Sequence, residues 1–264
     1  MLKVDYHIHS SFSDGQPDYR QILDRARELH LNEIAITDHF DRYDANERTR
    51  SITDDELLHH FDAIRAYGGK INQAVLCGIE TCTDFTGNLR ISDRVYHSCD
   101  IIITSPHYVE YSGELVPGNY FDEGFWESYK EKVLNMAGGP GDILGHCEAY
   151  LPYGRLLIPD TTTFEQRKAL AGGIAERFFD DAYINELVKA VKKSGKAVEL
   201  HCITSTPRER VIKRLADGGA SLSLGSDSHV LSGVGNVSWG LNMLEKFRGE
   251  ALQFIKQRTP RGGR

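Results

Sequence analysis

The stretch Tyr6-His7-Ile8-His9-Ser10, which follows Leu2-Lys3-Val4-Asp5, decides how the rest of the chain is read. In a strand, residues i and i+2 point to the same face. His7 and His9 therefore project together from one strand end, where two nitrogens can hold one divalent ion. Taken alone, such a pair is more often two ordinary histidines in an N-terminal strand. The same design recurs along the whole chain, and that recurrence carries the reading.

Ser10-Ser-Phe-Ser-Asp14-Gly15 is a polar loop, and residues 18–30 read as an amphipathic helix with Tyr19, Ile22, Leu23, Ala26 and Leu29 on one face. Residues 33–39 are an apolar strand ending in Asp38 and His39. Thr53-Asp-Asp-Glu56 is a capping box that opens a helix to about Tyr67, before Gly68-Gly69. Residues 74–80 form a strand ending in Glu80, followed by a weak helix. The strand at 100–107 ends in His107, and 108–119 is a loop over one end. A helix is predicted at 121–136, then a short strand at 142–146 that ends in His146. Residues 147–163 are an irregular second lid, and a helix follows from about 180 to 193. The sixth strand, 196–201, ends in His201. Thr206-Pro-Arg-Glu209 predicts a capping box with proline at the first helical position. The seventh strand, 220–229, ends in Asp227 and His229. A last helix is predicted at 239–256, with 258–264 a disordered tail.

Strands alternating with helices imply parallel pairing and right-handed crossovers. Seven such units without a Gly-x-Gly-x-x-Gly turn point to a TIM-like barrel rather than a doubly wound sheet, with the chemistry at the carboxyl ends of the strands. Those ends carry His7, His9, His39, Glu80, His107, His146, His201, Asp227 and His229. His30, His59, His60 and His97 fall in helical or connecting stretches and are read as solvated residues without a role.

Composition bounds the reading. The chain has 264 residues, 40% hydrophobic and 26% charged, which fits one globular domain over residues 1–257. The formal net charge is −7, and the one basic cluster is the tail from Arg258, so binding to long nucleic acid is not expected. No apolar run approaches the roughly 20 residues that span a bilayer, and no signal peptide is read because His7 already belongs to the site. Five cysteines without a C-x-x-C spacing argue against a disulfide framework or zinc knuckle. Cytoplasmic residence is the expectation. Cys147 and Cys202 each follow a histidine, but small buried cysteines are common in strands.

Six histidines with Asp14, Glu80 and Asp227 make about nine ligands, whereas one tetrahedral ion needs four. Two or three ions are therefore expected, with Glu80 or Asp227 bridging. Mixed imidazole and carboxylate donors suit zinc, iron or manganese better than calcium or magnesium. Clustered divalent ions serve hydrolysis, and their charge favours a phosphate dianion over a neutral ester.

The ordered set His7-Ile-His9, Asp14, Thr37-Asp-His39, Gly78-Ile-Glu80, Ser105-Pro-His107, Gly145-His146 and Gly225-Ser-Asp227-Ser-His229 resembles the PHP (polymerase and histidinol phosphatase) family over residues 4–245. The resemblance implies a distorted (β/α)7 barrel and a trinuclear site. In that site His7, His9, Glu80 and Asp227 would hold one ion. Glu80, His107 and His146 would hold a second, and Asp14, His39 and His229 the third. Asp14 stands where many members have histidine. The stand-alone length is similar to that of the histidinol-phosphate phosphatases, so L-histidinol phosphate is the expected substrate. Glu199-Leu-His201 and Glu148 depart from that subgroup.

The expected chemistry gives Asp227 the task of orienting or deprotonating the attacking water, and His229 or His39 that of protonating the leaving alkoxide. Arg155 would clamp the phosphate in bidentate fashion, or is a solvated arginine. His201 would face the organic part of the substrate, or is a strand-end histidine bonded to backbone. One alternative is a phosphatase or phosphodiesterase acting on another small phosphate ester, a nucleotide or sugar phosphate. A second is a metal-dependent amidohydrolase, which commonly bridges its ions with a lysine, where this chain has Glu80. A third, a non-enzymatic module, typically loses ligands, and here every position is filled.

Overall fold

The structure is a computed structural model that describes residues 1–44, 46–149, 154–158 and 161–257. The tail at 258–264, and Tyr150, Pro152, Tyr153 and Pro159 of the irregular stretch, lie outside the described residues. Seven parallel strands run in the order β1 (Val4–Asp5), β2 (Glu33–His39), β3 (Val75–Thr81), β4 (Ile101–Thr104), β5 (Ile143–Leu144), β6 (Ala197–His201) and β7 (Leu222–Gly225). The edges meet where Tyr6 N donates to Leu224 O and His9 N to Ser228 O, both at 2.9 Å, which closes the barrel.

The helices are α1 (Tyr19–Glu28), α2 (Glu47–Arg50), α3 (Asp54–Ile71), α4 (Asp93–Ser98), α5 (Glu123–Gly138), α6 (Phe164–Phe178), α7 (Asp181–Ser194), α8 (Glu209–Gly218) and α9 (Ser238–Lys246). Period-two alternation sorts each strand. Ile34, Ile36, Cys77 and Ile79 pack outward with Ile22, Leu23, Leu57, Phe61 and Ile64 of α1 and α3. The intervening positions point inward and lead at the strand ends to His39 and Glu80. On the other side, Phe125, Trp126, Tyr129, Phe179 and Tyr183 are buried together, with Phe125 and Trp126 at 5.0 Å between ring centres. Burying each phenylalanine-sized side chain contributes about 1.5–3 kcal/mol.

Several expectations are corrected. α3 runs past Tyr67 to Ile71, because Gly68 is needed for close packing: a Cβ there would lie 2.7 Å from Val75 Cγ1. The helix ends instead at Asn72, in the left-handed conformation. α6 lies in a stretch not assigned from sequence, although Thr163 and Gln166 form a reciprocal capping box at its start. α8 starts at Glu209 with no side-chain cap. Thr206 is still paired across a turn with His201, and Arg208 N donates to Glu148 Oε2 at 2.8 Å. α9 ends at Lys246 rather than near 256. The chain then returns beneath the barrel, where Phe254 N donates to Leu222 O at 2.8 Å.

Candidate active site

The carboxyl ends of the strands converge on Glu80, whose side chain is 1% exposed. Its Oε2 lies 3.3 Å from His7 Nε2, 3.5 Å from His9 Nε2 and 3.2 Å from His39 Nδ1. Its Oε1 lies 3.2 Å from Nε2 of both His107 and His146. Asp227 Oδ1 is 3.5 Å from His7 Nε2 and 3.1 Å from His9 Nε2. Asp14 forms an outer corner, 3.4 Å from Nε2 of both His39 and His229. Two of these residues, His146 (φ 49°) and Asp227 (φ 51°), hold left-handed backbone, a strain that commonly marks functional positions.

A second layer fixes the rings. Glu199 Oε1 accepts from His7 Nδ1 at 2.6 Å, which leaves Nε2 as the lone-pair nitrogen facing Glu80 and Asp227. Asp41 Oδ2 sits 3.2 Å from His107 Nδ1. Asp5, fully buried, accepts from Ser226 N and Gly235 N, each at 2.9 Å, and so ties β1 to the loop after β7. His201 lies buried behind Asp227 rather than facing the cavity. Its Nε2 is 2.9 Å from Asp227 Oδ2, and its Nδ1 meets Thr204 Oγ1. His60 is corrected too. Its Nε2 is 2.9 Å from the buried Asp38, which also accepts from Ser10 and Ser13.

Sequence reasoning passed over Glu199 as a ring-orienting group, along with Asp5, Asp41 and the Asp38–His60 pair. The signal for Glu199 was present: it stands two residues before His201 on the same strand face. Asp5 stands two before His7 in the same way. No sequence pattern marked Asp41.

The donor set fits divalent ions. His7 Nε2, both ring nitrogens of His9, His39 Nδ1 and Glu80 Oε1 are buried and make no hydrogen bond. Uncompensated burial of that kind is costly. Yet all but His9 Nδ1, which lies 3.9 Å from Asp14 Oδ1, face other donor atoms at 3.1–3.5 Å. Ligands bound at about 2.0–2.1 Å to a tetrahedral ion stand about 3.3 Å apart, the same spacing. His9, Asp14, His39 and His229 form a further set with donor atoms within 4.8 Å of one another.

In the metal-free protein, protons take the place of charge. Burial opposes the imidazolium of His7, but Glu80, Glu199 and Asp227 outweigh it and hold its pKa well above the usual histidine value. Burial also opposes the charge on His229, but Asp14 and Asp227 raise its pKa to about 9. Burial and the neighbouring His39 lower that of His9 to about 4. Because the His229 pKa is raised, its proton competes with a metal ion below about pH 9. Metal affinity of the outer corner is expected to fall about tenfold per pH unit on acidification below that value, and to level off above it. Calorimetry near neutral pH, in two buffers of different ionisation heat, should show protons released on loading. Identical heats in the two buffers would contradict this.

Above the cluster opens a cavity of about 820 Å³. Its wall includes Arg155, Arg50, Arg167, Tyr43, Tyr108, Tyr129 and Asp44. Tyr129 donates to His146 O at 2.8 Å, which anchors the loop after β5.

A parallel seven-stranded barrel with a histidine and carboxylate cluster at its carboxyl face defines a TIM-like α/β protein with a candidate multinuclear centre. The chain belongs to the PHP domain family, which matches residues 5–202. The structure is similar to that of histidinol phosphate phosphatase (HisK) from Lactococcus lactis subsp. lactis Il1403, solved with zinc, L-histidinol and phosphate. The two are 20% identical, with a TM-score of 0.67 and coverage of 97% of this chain and 100% of that one. It is also similar to the putative histidinol phosphatase HisK from Listeria monocytogenes, at 16% identity and a TM-score of 0.58, covering 88% and 97% of the two chains. Among curated proteins, the DNA polymerase/3'-5' exonuclease PolX of Bacillus subtilis (strain 168) is 22% identical over 261 residues. This match takes in 98% of the chain but 40% of the relative's length.

Proposed function

We propose that the chain is a metal-dependent phosphoesterase acting on small phosphomonoesters, with L-histidinol phosphate as the substrate that the family resemblance puts first. The observation that carries the reading is the convergence of five imidazoles on the two oxygens of Glu80, with buried donor atoms that make no hydrogen bond. Two to three zinc, manganese or iron ions bound by His7, His9, Asp14, His39, Glu80, His107, His146, Asp227 and His229 would supply Lewis-acid polarisation of the phosphoryl oxygens and a water of lowered pKa. The site forms in a single catalytic domain, and residence in the cytoplasm belongs to the same proposal. No helix among the described residues is long and apolar enough to cross a membrane.

The chain's own groups divide the remaining work. Arg155 clamps the phosphate. Both oxygens of Asp227 are committed, one to His201 and one to the His7–His9 corner. Asp227 therefore orients the attacking group and leaves proton uptake to others. His229, with 37% of its side chain exposed on the cavity wall, stands nearest to solvent and would be the proton donor to the leaving alkoxide when the outer corner holds no ion, keeping the proton that loading displaces. His39 faces Glu80 and Asp14 with its two nitrogens and positions them.

A second reading keeps this chemistry and changes the ester to a nucleotide or sugar phosphate, and the arginines of the cavity wall favour it. The acidic surface supports a small substrate under either reading.

Phosphate release from a panel of monoesters, with metals counted in the same sample, tests the proposal. Chelation is expected to lower turnover by about a thousandfold or more, the equivalent of several kcal/mol. Manganese, zinc or iron should restore it. Turnover unaffected by full metal removal would sink the reading.

A further inference from the structure

We infer that the substrate carries a second acidic group, a carboxylate or a second phosphate, held between Arg50 and Arg167. This rests on the phosphoesterase reading, sets another phosphate ester above L-histidinol phosphate, and names the substrate class of that same site.

The chain is acidic, with 38 Asp and Glu against 31 Lys and Arg, and it pairs its outer arginines readily. Arg65 meets Asp100, Arg94 meets Asp55, and Arg208 meets Glu148 and Glu176. Arg210 and Arg214 share Asp181, and Arg248 meets Asp217. Arg50, Arg155 and Arg167 stand apart by place: other arginines without such a partner, Arg27 and Arg42 among them, do not line the cavity. All three line the central cavity, and none of their guanidiniums forms an ion pair or hydrogen bond among the described residues. The Arg167 Nε is buried without a hydrogen-bond partner, which is costly unless a ligand supplies one.

Placement in the barrel sets two of these arginines opposite the third. Arg50 ends α2, after β2, whereas Arg155 and Arg167 follow β5, three strands further round the sheet. The cations therefore approach the cavity from facing sides. One guanidinium suffices for the scissile phosphate, whose charge the metal ions also meet. The other two call for further negative charge, since like charges left together in a cleft repel.

The wall suits a cation poorly. Among the described residues, and outside the nine metal-facing ones, its carboxylate is Asp44, set against three guanidiniums. L-Histidinol phosphate would bring a protonated amine into that wall. A cavity of about 820 Å³ has room for an ester with a second anionic end. Tyr43 and Tyr108, with ring centres 5.1 Å apart, give it an amphipathic edge to lie on.

The test measures kcat/KM for the manganese-loaded protein on matched pairs: 3-phosphoglycerate against glycerol 3-phosphate, and fructose 1,6-bisphosphate against fructose 6-phosphate. L-Histidinol phosphate is run beside them. The diacid of at least one pair is expected to be favoured by about tenfold or more, the scale of one charge-assisted contact. Arg167→Met and Arg50→Met are each expected to bring that ratio toward one, mainly through KM. Equal values within both pairs, a ratio indifferent to both substitutions, or L-histidinol phosphate outrunning every diacid would overturn the inference while leaving the phosphoesterase reading in place. Bound metal with no phosphate released from any ester would overturn both.

Discussion

Glu80→Gln is expected to remove at least two bound ions per chain and to cut phosphate release by about a thousandfold. The two oxygens of Glu80 face different imidazole sets, five rings in all. Oε2 looks toward His7, His9 and His39, and Oε1 toward His107 and His146. Glutamine keeps the size and one acceptor oxygen. Its amide nitrogen has no lone pair to give a metal, so one set loses its shared ligand. The charge changes as well. Burial opposes ionisation of Glu80, but His107 and His7 hold its pKa well below the usual carboxylate range, so the native group is anionic. Losing that anion weakens the hold on every neighbouring cation. Electrostatic stabilisation by the ions is worth several kcal/mol, and about 4 kcal/mol corresponds to a thousandfold. Metal analysis and steady-state kinetics measure the two effects, with circular dichroism confirming the fold. A Glu80→Gln protein with full metal content and unchanged turnover would remove the basis of the proposed function.

The fold and most of the cluster were legible because both depend on local pattern. Each strand announces its end with a histidine or carboxylate, and the two-residue period puts His7 and His9, or Asp227 and His229, together. What escaped falls into two kinds. Some misses were patterns present but not applied. Thr163-Phe-Glu-Gln166 is a capping box as plain as Thr53-Asp-Asp-Glu56, and Glu199 shares its strand face with His201 just as His7 does with His9. Others have no local signature. His60 looks like any helical histidine until β2 brings Asp38 against α3, and Asp41 acquires meaning when the loop after β4 returns with His107. The helix expected at Thr206 failed because pairing with His201 across a turn, absent from any helix rule, outcompeted a cap. His201 was placed at a strand end correctly. Its direction depended on Asp227 taking the left-handed backbone that brings Oδ2 within reach.

Gly225→Ala should lower metal affinity by about 10- to 100-fold, the range for disturbing a ligand-orienting contact, although the glycine touches no ion. The inward positions around Glu199 are kept small, as Gly225 and Ser223 on the neighbouring strand show. A Cβ at residue 225 would lie 2.4 Å from Glu199 Oε1 and 2.8 Å from His7 Cβ. Its backbone is not in the left-handed region, so the cost is steric alone. Glu199 is buried, and its Oε1 holds His7 at 2.6 Å, so it cannot swing aside without releasing that ring. Overpacking of this kind costs about 1–3 kcal/mol in stability, and the freed imidazole loses the tautomer that aims Nε2 at the ion. A double-mutant cycle separates this cause from general damage. Glu199→Ala removes the tighter of the two clashes and the orienting bond, and leaves the 2.8 Å approach to His7 Cβ. In that background, adding Gly225→Ala should change metal affinity by less than about threefold, well short of the single-variant loss. If Gly225→Ala costs as much without Glu199 as with it, the glycine serves the barrel and has no special part in aiming His7.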